Sequence, residues 1–208
     1  MTLLRPLPGL LLEALRFELA LYRSLLRWAA RRPDVPPGAT SIGYSRLIAP
    51  MLWMWIFGST VEVIVVEVVL RHVHQPWAAA LRVPLLLLGI WGVAWMLGML
   101  ASYQVRPHLL TDTDVQVRSG ARTWLTVPLE AVESARPVEH EVPGVIRSLH
   151  VDGALALVGV GSRTNLELVL AEPTTVLTSK GEVTVSRVGM WVDEPREIAA
   201  QLRLRPGT

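Results

Sequence analysis

Residues 47–70 read LIAPMLWMWIFGSTVEVIVVEVVL, and residues 83–103 read VPLLLLGIWGVAWMLGMLASY. A bilayer core of about 30 Å takes roughly 20 apolar residues of helix, and both stretches reach that length. The second carries no charge, whereas the first holds Glu62 deep inside and Glu67 near its end. With only the short segment 71–82 between them, the two spans predict an antiparallel transmembrane hairpin occupying 39–105. Pro50 falls in the first turn of its span, where a missing N–H costs little.

Charge is divided along the chain. Residues 1–107 carry ten arginines and five acids, a net of +5, while residues 108–208 carry ten basic and thirteen acidic residues, a net of −3. The basic excess therefore sits beside the apolar runs, which suggests anionic lipid headgroups rather than nucleic acid. Arg23, Arg27, Arg31, Arg32 and Arg46 precede the first span, and Arg106, Arg118 and Arg122 follow the second; the connecting loop has Arg71 and Arg82. The positive-inside bias predicts a multi-pass protein of the cell inner membrane with both termini cytoplasmic. Trp53, Trp55, Trp77, Trp91 and Trp95 offer interface anchors, although Trp91 and Trp95 lie deep for that role.

Residues 1–38 read as a helix followed by a proline-rich linker. Over 10–28, Glu13, Arg16, Arg23 and Arg27 share one face and leucines fill most of the rest. Such a helix is expected to lie in the headgroup plane, with packing on the spans or on a second copy as the alternative. The charges that interrupt it argue against a cleaved signal peptide. The linker RRPDVPPG at 31–38 stops it.

After residue 103, period-2 alternation and turn residues replace the long apolar runs. Residues 115–118 and 123–127 flank Ser119-Gly120, a hairpin signal. Further strands are expected at 132–138, 155–160, 166–170, 176–178 and 183–192. Asp193 then stands as an N-cap for a helix over 194–203, with Pro195 in its first turn and Ile198, Ala199 and Leu202 on its apolar face.

The hairpin TDTDVQVRSGARTWLTVPLEAVESA (111–135) and the closing VTVSRVGMWVDEPREIAAQL (183–202) resemble the bacterial pleckstrin-homology-like (PH-like) domain. Over about 40–205 the chain is similar to small actinobacterial-type membrane proteins that carry such a domain behind two spans. The resemblance implies a cytoplasmic small antiparallel β-barrel over 106–208, capped by the C-terminal helix. It implies no catalytic residues. Segment 139–147 fits the pattern poorly, which leaves strand order there open.

Glu62 is the residue that needs explaining. An ionised carboxylate near the bilayer centre is costly unless it is paired or protonated. It could serve as a proton or cation relay, or as a buried partner for another helix. It could instead be protonated and bonded to the backbone, Ser59 or Thr60, or reach the interface if the span sits deeper. Glu67 and Arg71 stand at i, i+4 and are expected to pair. Glu62 and Glu67 are about 140° apart around a helix and are not expected to share a face. Ala94, Gly98 and Ser102 form a small-xxx-small row suited to close helix packing. Arg118, Arg122, Arg136 and Arg147 are candidates for a local basic patch.

The chain has no cysteine, which excludes disulfides, thiolate metal sites and thiol nucleophiles. His72 and His74 are a weak metal signal without a third ligand. Residues 159–162 (GVGS) lack the lysine of a phosphate loop and the order of a nucleophile elbow, and read as a turn. The expectation is a non-enzymatic membrane protein with no cofactor and no metal. Its partners would be membrane lipids and either another protein or a second copy. A subunit of a transport or proton-coupled complex using Glu62 is the alternative. An NfeD-like membrane scaffold is a third reading, which the expected closing helix argues against.

Overall fold

The computed structural model describes residues 7–144 and 148–203. Helix α1 (Leu7–Ala29) leads through the linker to a short strand, β1 (Thr40–Ile42). Helices α2 (Ala49–His72) and α3 (Pro76–Val105) follow, joined by three residues. Then come β2 (His108–Leu110), β3 (Asp114–Ser119), β4 (Thr123–Pro128), a 3₁₀ turn at Leu129–Ala131, and β5 (Val132–Arg136). Strands β6 (His140–Glu141), β7 (Leu149–Asp152), β8 (Leu155–Val158) and β9 (Arg163–Thr164) are short. The long strands β10 (Leu166–Thr178) and β11 (Gly181–Met190) precede helix α4 (Pro195–Arg203).

Both α2 and α3 are long and apolar enough to cross a membrane. Their apolar side chains face outward rather than into the chain: Phe57, Met54 and Leu87 are exposed, and Ile56 is the buried residue of α2. A core helix of a water-soluble domain would bury that face within its own chain. The turn between them is tighter than the expected 71–82 loop, because α3 begins at Pro76, whose ring fits a first helical turn.

Helix α1 ends as a Schellman turn. Arg32 N–H bonds the Arg27 carbonyl at 2.9 Å and Arg31 N–H the Trp28 carbonyl at 3.0 Å, with Arg31 at φ 54°. It does not stand apart from the spans. Phe17 meets Trp95, Leu21 meets Gly98 and Trp28 meets Gln104, so α1 runs along α3 in the same direction. Its outward face still carries exposed Leu11, Leu15, Leu19 and Leu26. Packing on the spans, the alternative to a free surface helix, is the arrangement observed. The deep Trp91 and Trp95 serve this contact: Trp91 Nε1–H donates to Glu18 at 2.8 Å.

The strands form a mixed, mostly antiparallel sheet in the order β1-β2-β3-β4-β10-β11-β8-β7, with β5 on β10. The path does not close, so the expected PH-like barrel is not formed among the described residues, and β8 lies parallel to β11. Strand β10 covers both the 166–170 and 176–178 segments. It bulges between Val169 and Thr174, around Pro173, which cannot donate to a ladder. Its first half pairs with β5 and its second with β4. Strand β1 pairs with β2, so the sheet takes in residues ahead of the spans and does not start at 106.

One apolar core, including Leu110, Val117, Leu125, Leu168, Val188 and Met190, lies within the sheet, and α4 closes it with Ala199 and Leu202. That closing helix, together with more than five strands, departs from the NfeD-like reading. A second cluster of Tyr44, Ile48 and Val160, with Leu47, Tyr103 and Trp191 against it, joins the sheet to the ends of α2 and α3. The expected turn at Gly161 and Ser162 forms, with both residues at positive φ (58° and 62°) and Val160 and Arg163 exchanging backbone bonds across it. This is the backbone twist that a two-residue hairpin turn requires.

Candidate functional site

Helix α3 is sandwiched between α2 and α1 through two glycines. A Cβ on Gly89 would lie 2.5 Å from Val63 of α2, and a Cβ on Gly98 would lie 3.1 Å from Leu21 of α1. Nine residues of helix turn the chain by about 180°, so the two glycines open opposite faces. Within the row Ala94, Gly98, Ser102, Gly98 admits α1, and Ser102 is buried, its hydroxyl donating to the Met99 carbonyl at 2.7 Å. Gly89, outside that row, admits α2. A search for small residues at spacing four along α3 misses it, because it faces the other way.

Between α2 and α3 runs a groove of about 250 Å³ lined by Ser59, Glu62, Val63, Val66, Glu67 and Leu70 on the α2 side and by Arg82 among others on α3. The separation of Glu62 and Glu67 was expected to keep them off a common face. Instead, the positions follow the i, i+3, i+4, i+7, i+8, i+11 pattern of one broad helix face, and the two glutamates form its opposite rims. Glu67 is not paired with Arg71. Arg82 takes it, with Nε at 2.8 Å and Nη2 at 2.5 Å from Oε1. The tight turn puts Arg82 in the second turn of α3, directly opposite, whereas a pair with Arg71 would have to run along the outside of α2.

Glu62 stands exposed on the groove's rim. Thr60 gives its hydroxyl to the Ile56 carbonyl at 2.7 Å and Ser59 points its own to Met96 sulfur at 4.0 Å. Glu62 makes no hydrogen bond or ion pair among the described residues. His72, in the last turn of α2, bonds the Val68 carbonyl through Nδ1 at 2.8 Å. No group of three His, Asp or Glu side chains that could hold a metal occurs among the described residues.

A polar knot ties α1, the linker and the sheet together below the spans. Asp34 pairs with Arg27, lies 3.7 Å from Arg106 Nε and 3.6 Å from Arg118 Nη1, and its N–H bonds the Val105 carbonyl at 2.7 Å. Partial burial alone would raise the Asp34 carboxyl, but the hydrogen bond and charge of Arg27, with Arg118 and Arg106, hold it below the ordinary range. Beside the knot, His108 is fully buried and stacks on Tyr44 with ring centroids 4.4 Å apart. Its Nδ1 accepts the Arg118 N–H at 2.8 Å and its Nε2–H donates to the Trp191 carbonyl at 2.8 Å. These two bonds specify the neutral ring. Burial first, and then the Arg118 charge, push its pKa down to about 4.

Three of the four arginines expected to form a basic patch have separate partners. Arg118 is buried and committed to Asp34 and Gln116; Arg136 pairs with Glu167 at 3.6 Å; Arg122 stands at the β3–β4 turn, its Nη1 3.3 Å from the Glu13 carbonyl. Arg147 lies outside the described residues. Side chains alternate between the two faces residue by residue along a strand, so which arginines meet depends on strand register, which sequence spacing alone does not show. Glu167 was missed as a site. It is buried on β10 and accepts from His140 at 2.9 Å, with Arg187 at 3.7 Å. An acid inside the apolar run LELVL was the signal for it.

Comparison with family models, with curated proteins and with solved structures found no match. The class is therefore defined by the architecture alone: a pair of long apolar helices buttressed by a third and keyed into a mixed sheet.

Proposed function

We propose that this is a non-enzymatic protein of the cell inner membrane, its sheet on the cytoplasmic side, that works as a subunit of an assembly with another protein or a second copy. The observation that carries the reading is Glu62. An ionisable side chain within a span faces a protein partner or a water-filled cavity rather than lipid. Glu62 faces outward from its own chain, so a neighbouring helix supplies what it lacks. The sheet, fixed to the hairpin through Tyr44, His108 and Asp34, would hold that assembly to a set position at the membrane surface.

The test uses the absence of cysteine. A Val65→Cys chain, one turn from Glu62, is oxidised in native membranes. Disulfide-linked dimers, or a stoichiometric neighbour trapped by a bifunctional thiol reagent, are expected, and Glu62→Leu reduces them. A monomer in native membranes that is indifferent to Glu62→Leu overturns the reading.

A second reading has its own support: Ser59, Glu62, Glu67 and Arg82 line one groove, as a proton-coupled site would need. Glu62→Gln separates the two. Retained assembly with lost proton flux in reconstituted vesicles favours transport; flux unchanged by the substitution removes it.

A further inference from the structure

A second cavity, of about 850 Å³, lies where the sheet meets the ends of α2 and α3. That is within the roughly 300–1,000 Å³ range of small-molecule sites. Its two walls differ in chemistry. Phe17 of α1, Met51 in the first turn of α2 and Met99 near the end of α3 make one wall. Met51 is exposed and shares a helix face with Trp55, four residues on and also exposed, so this wall is continuous with the part of the hairpin that hydrocarbon would cover. The other wall comes from three turns of the sheet and carries Arg122, Ser162 and Lys180. Lys180 is the only lysine of the chain. Among the described residues Glu13 is the one acid on the lining, and its backbone carbonyl lies 3.3 Å from Arg122 Nη1.

From this juxtaposition we propose that the cavity binds one anionic phospholipid, its phosphate between Arg122 and Lys180 and its acyl chains against Met51 and Met99. The proposal rests on the membrane reading given above. A free anion would leave the methionine wall unfilled, and a purely apolar ligand would leave two cations facing it. An amphiphile drawn from the bilayer satisfies both walls. The net acidic charge of the second half of the chain does not oppose this, because the two cations lie on the turns that face the spans. Those turns belong to β3–β4 and β10–β11, which are rigidly paired in the sheet. The backbone that carries the two cations is therefore set in place before the lipid arrives.

The experiment uses the full chain in mild detergent, offered equal amounts of dioleoylphosphatidylglycerol and dioleoylphosphatidylcholine, with retained lipid read by native mass spectrometry. One phosphatidylglycerol per chain is expected, preferred by about thirtyfold, the scale of two juxtamembrane cations. Arg122→Gln with Lys180→Gln brings the preference to within about twofold, while Arg187→Gln with Arg196→Gln, an equal charge change away from the cavity, leaves it in place. Thermal unfolding of each variant confirms that it is folded. Equal retention of the two lipids, or equal loss in both double variants, overturns the proposal. So does displacement by inorganic phosphate at matched concentration, which would mark a site for the anion alone. A chain that stays soluble without detergent fails at the earlier step, the membrane reading itself.

Discussion

Asp193 Oδ1 accepts the N–H of Arg46 at 3.0 Å, and the Asp193 N–H returns a bond to the Gly43 carbonyl at 2.9 Å. The residue expected to cap α4 instead clamps the approach to α2 against the end of β11. Gly43 has no side chain because one would meet Asp193 Oδ2 at 2.9 Å. The adjoining pair Arg46–Glu194, at 2.9 Å, is exposed and adds little.

Replacing Asp193 with Ala should therefore loosen the hairpin from the sheet. The expected cost is about 1 kcal/mol, that of one hydrogen bond whose exposed donor passes to water. Asp193→Asn keeps the acceptor and should cost less. Thermal unfolding of the detergent-solubilised protein measures both, and equal losses would assign the effect to charge instead.

Gly89→Leu and Gly98→Leu should have separable effects, since they crowd opposite faces of α3. Each is expected to cost about 1–3 kcal/mol through overpacking. Only Gly98→Leu should push α1 off, raising trypsin cleavage at Arg16 and Arg23. If Gly89→Leu exposes those sites equally, the three helices pack as one inseparable unit.

Arg82, not Arg71, should control Glu67. Arg82→Leu is expected to lower the membrane-inserted yield, Arg71→Gln to leave it unchanged, and the exchange Glu67→Arg with Arg82→Glu to restore it. Yield is read by quantitative blotting of carbonate-washed membranes. Failure of the exchange to rescue would show that position matters beyond the pairing of charges.

Acid should weaken the fold through His108. Its ring is neutral in the folded chain down to about pH 4 but takes up a proton near its ordinary value of 6.5 when unfolded. The unfolded state thus binds more protons between those values, so stability is full above pH 6.5 and falls as pH drops toward 4. The loss across the window is about 3 kcal/mol, from the size of the displacement. His108→Asn should be less stable at pH 7 and show a shallower slope over that window. An unchanged slope in unfolding at pH 7, 6, 5 and 4.5 would transfer the acid sensitivity to other groups.

The long apolar runs, the β3–β4 hairpin, the Gly161-Ser162 turn and the closing helix were legible because each rests on local chemistry: length, alternation, glycine placement and a first-turn proline. The strands β1, β2, β6, β7 and β9 were not. They run two to four residues and acquire extended structure only from the neighbour each pairs with. Barrel closure was over-read for a related reason, since strand count does not specify which edges meet. At the candidate site, Glu62 stood out by its apolar surroundings alone. Arg82 as the partner of Glu67 did not, because that depends on a turn shorter than the loop signals implied. His108 was indistinguishable from any surface histidine until Tyr44 and Trp191, distant in sequence, were brought beside it.

Thr40, Ser41 and Ile42 are matched residue for residue with Leu110, Leu109 and His108, and among the described residues β1 has no other neighbour in the sheet. Everything between the two is the pair of apolar helices and their flanks. On a ribosome, then, the first-made strand must wait until both helices have emerged and folded back before it finds its place. A chain whose two helices do not fold back on each other therefore leaves β1 and the facing edge of β2 unpaired.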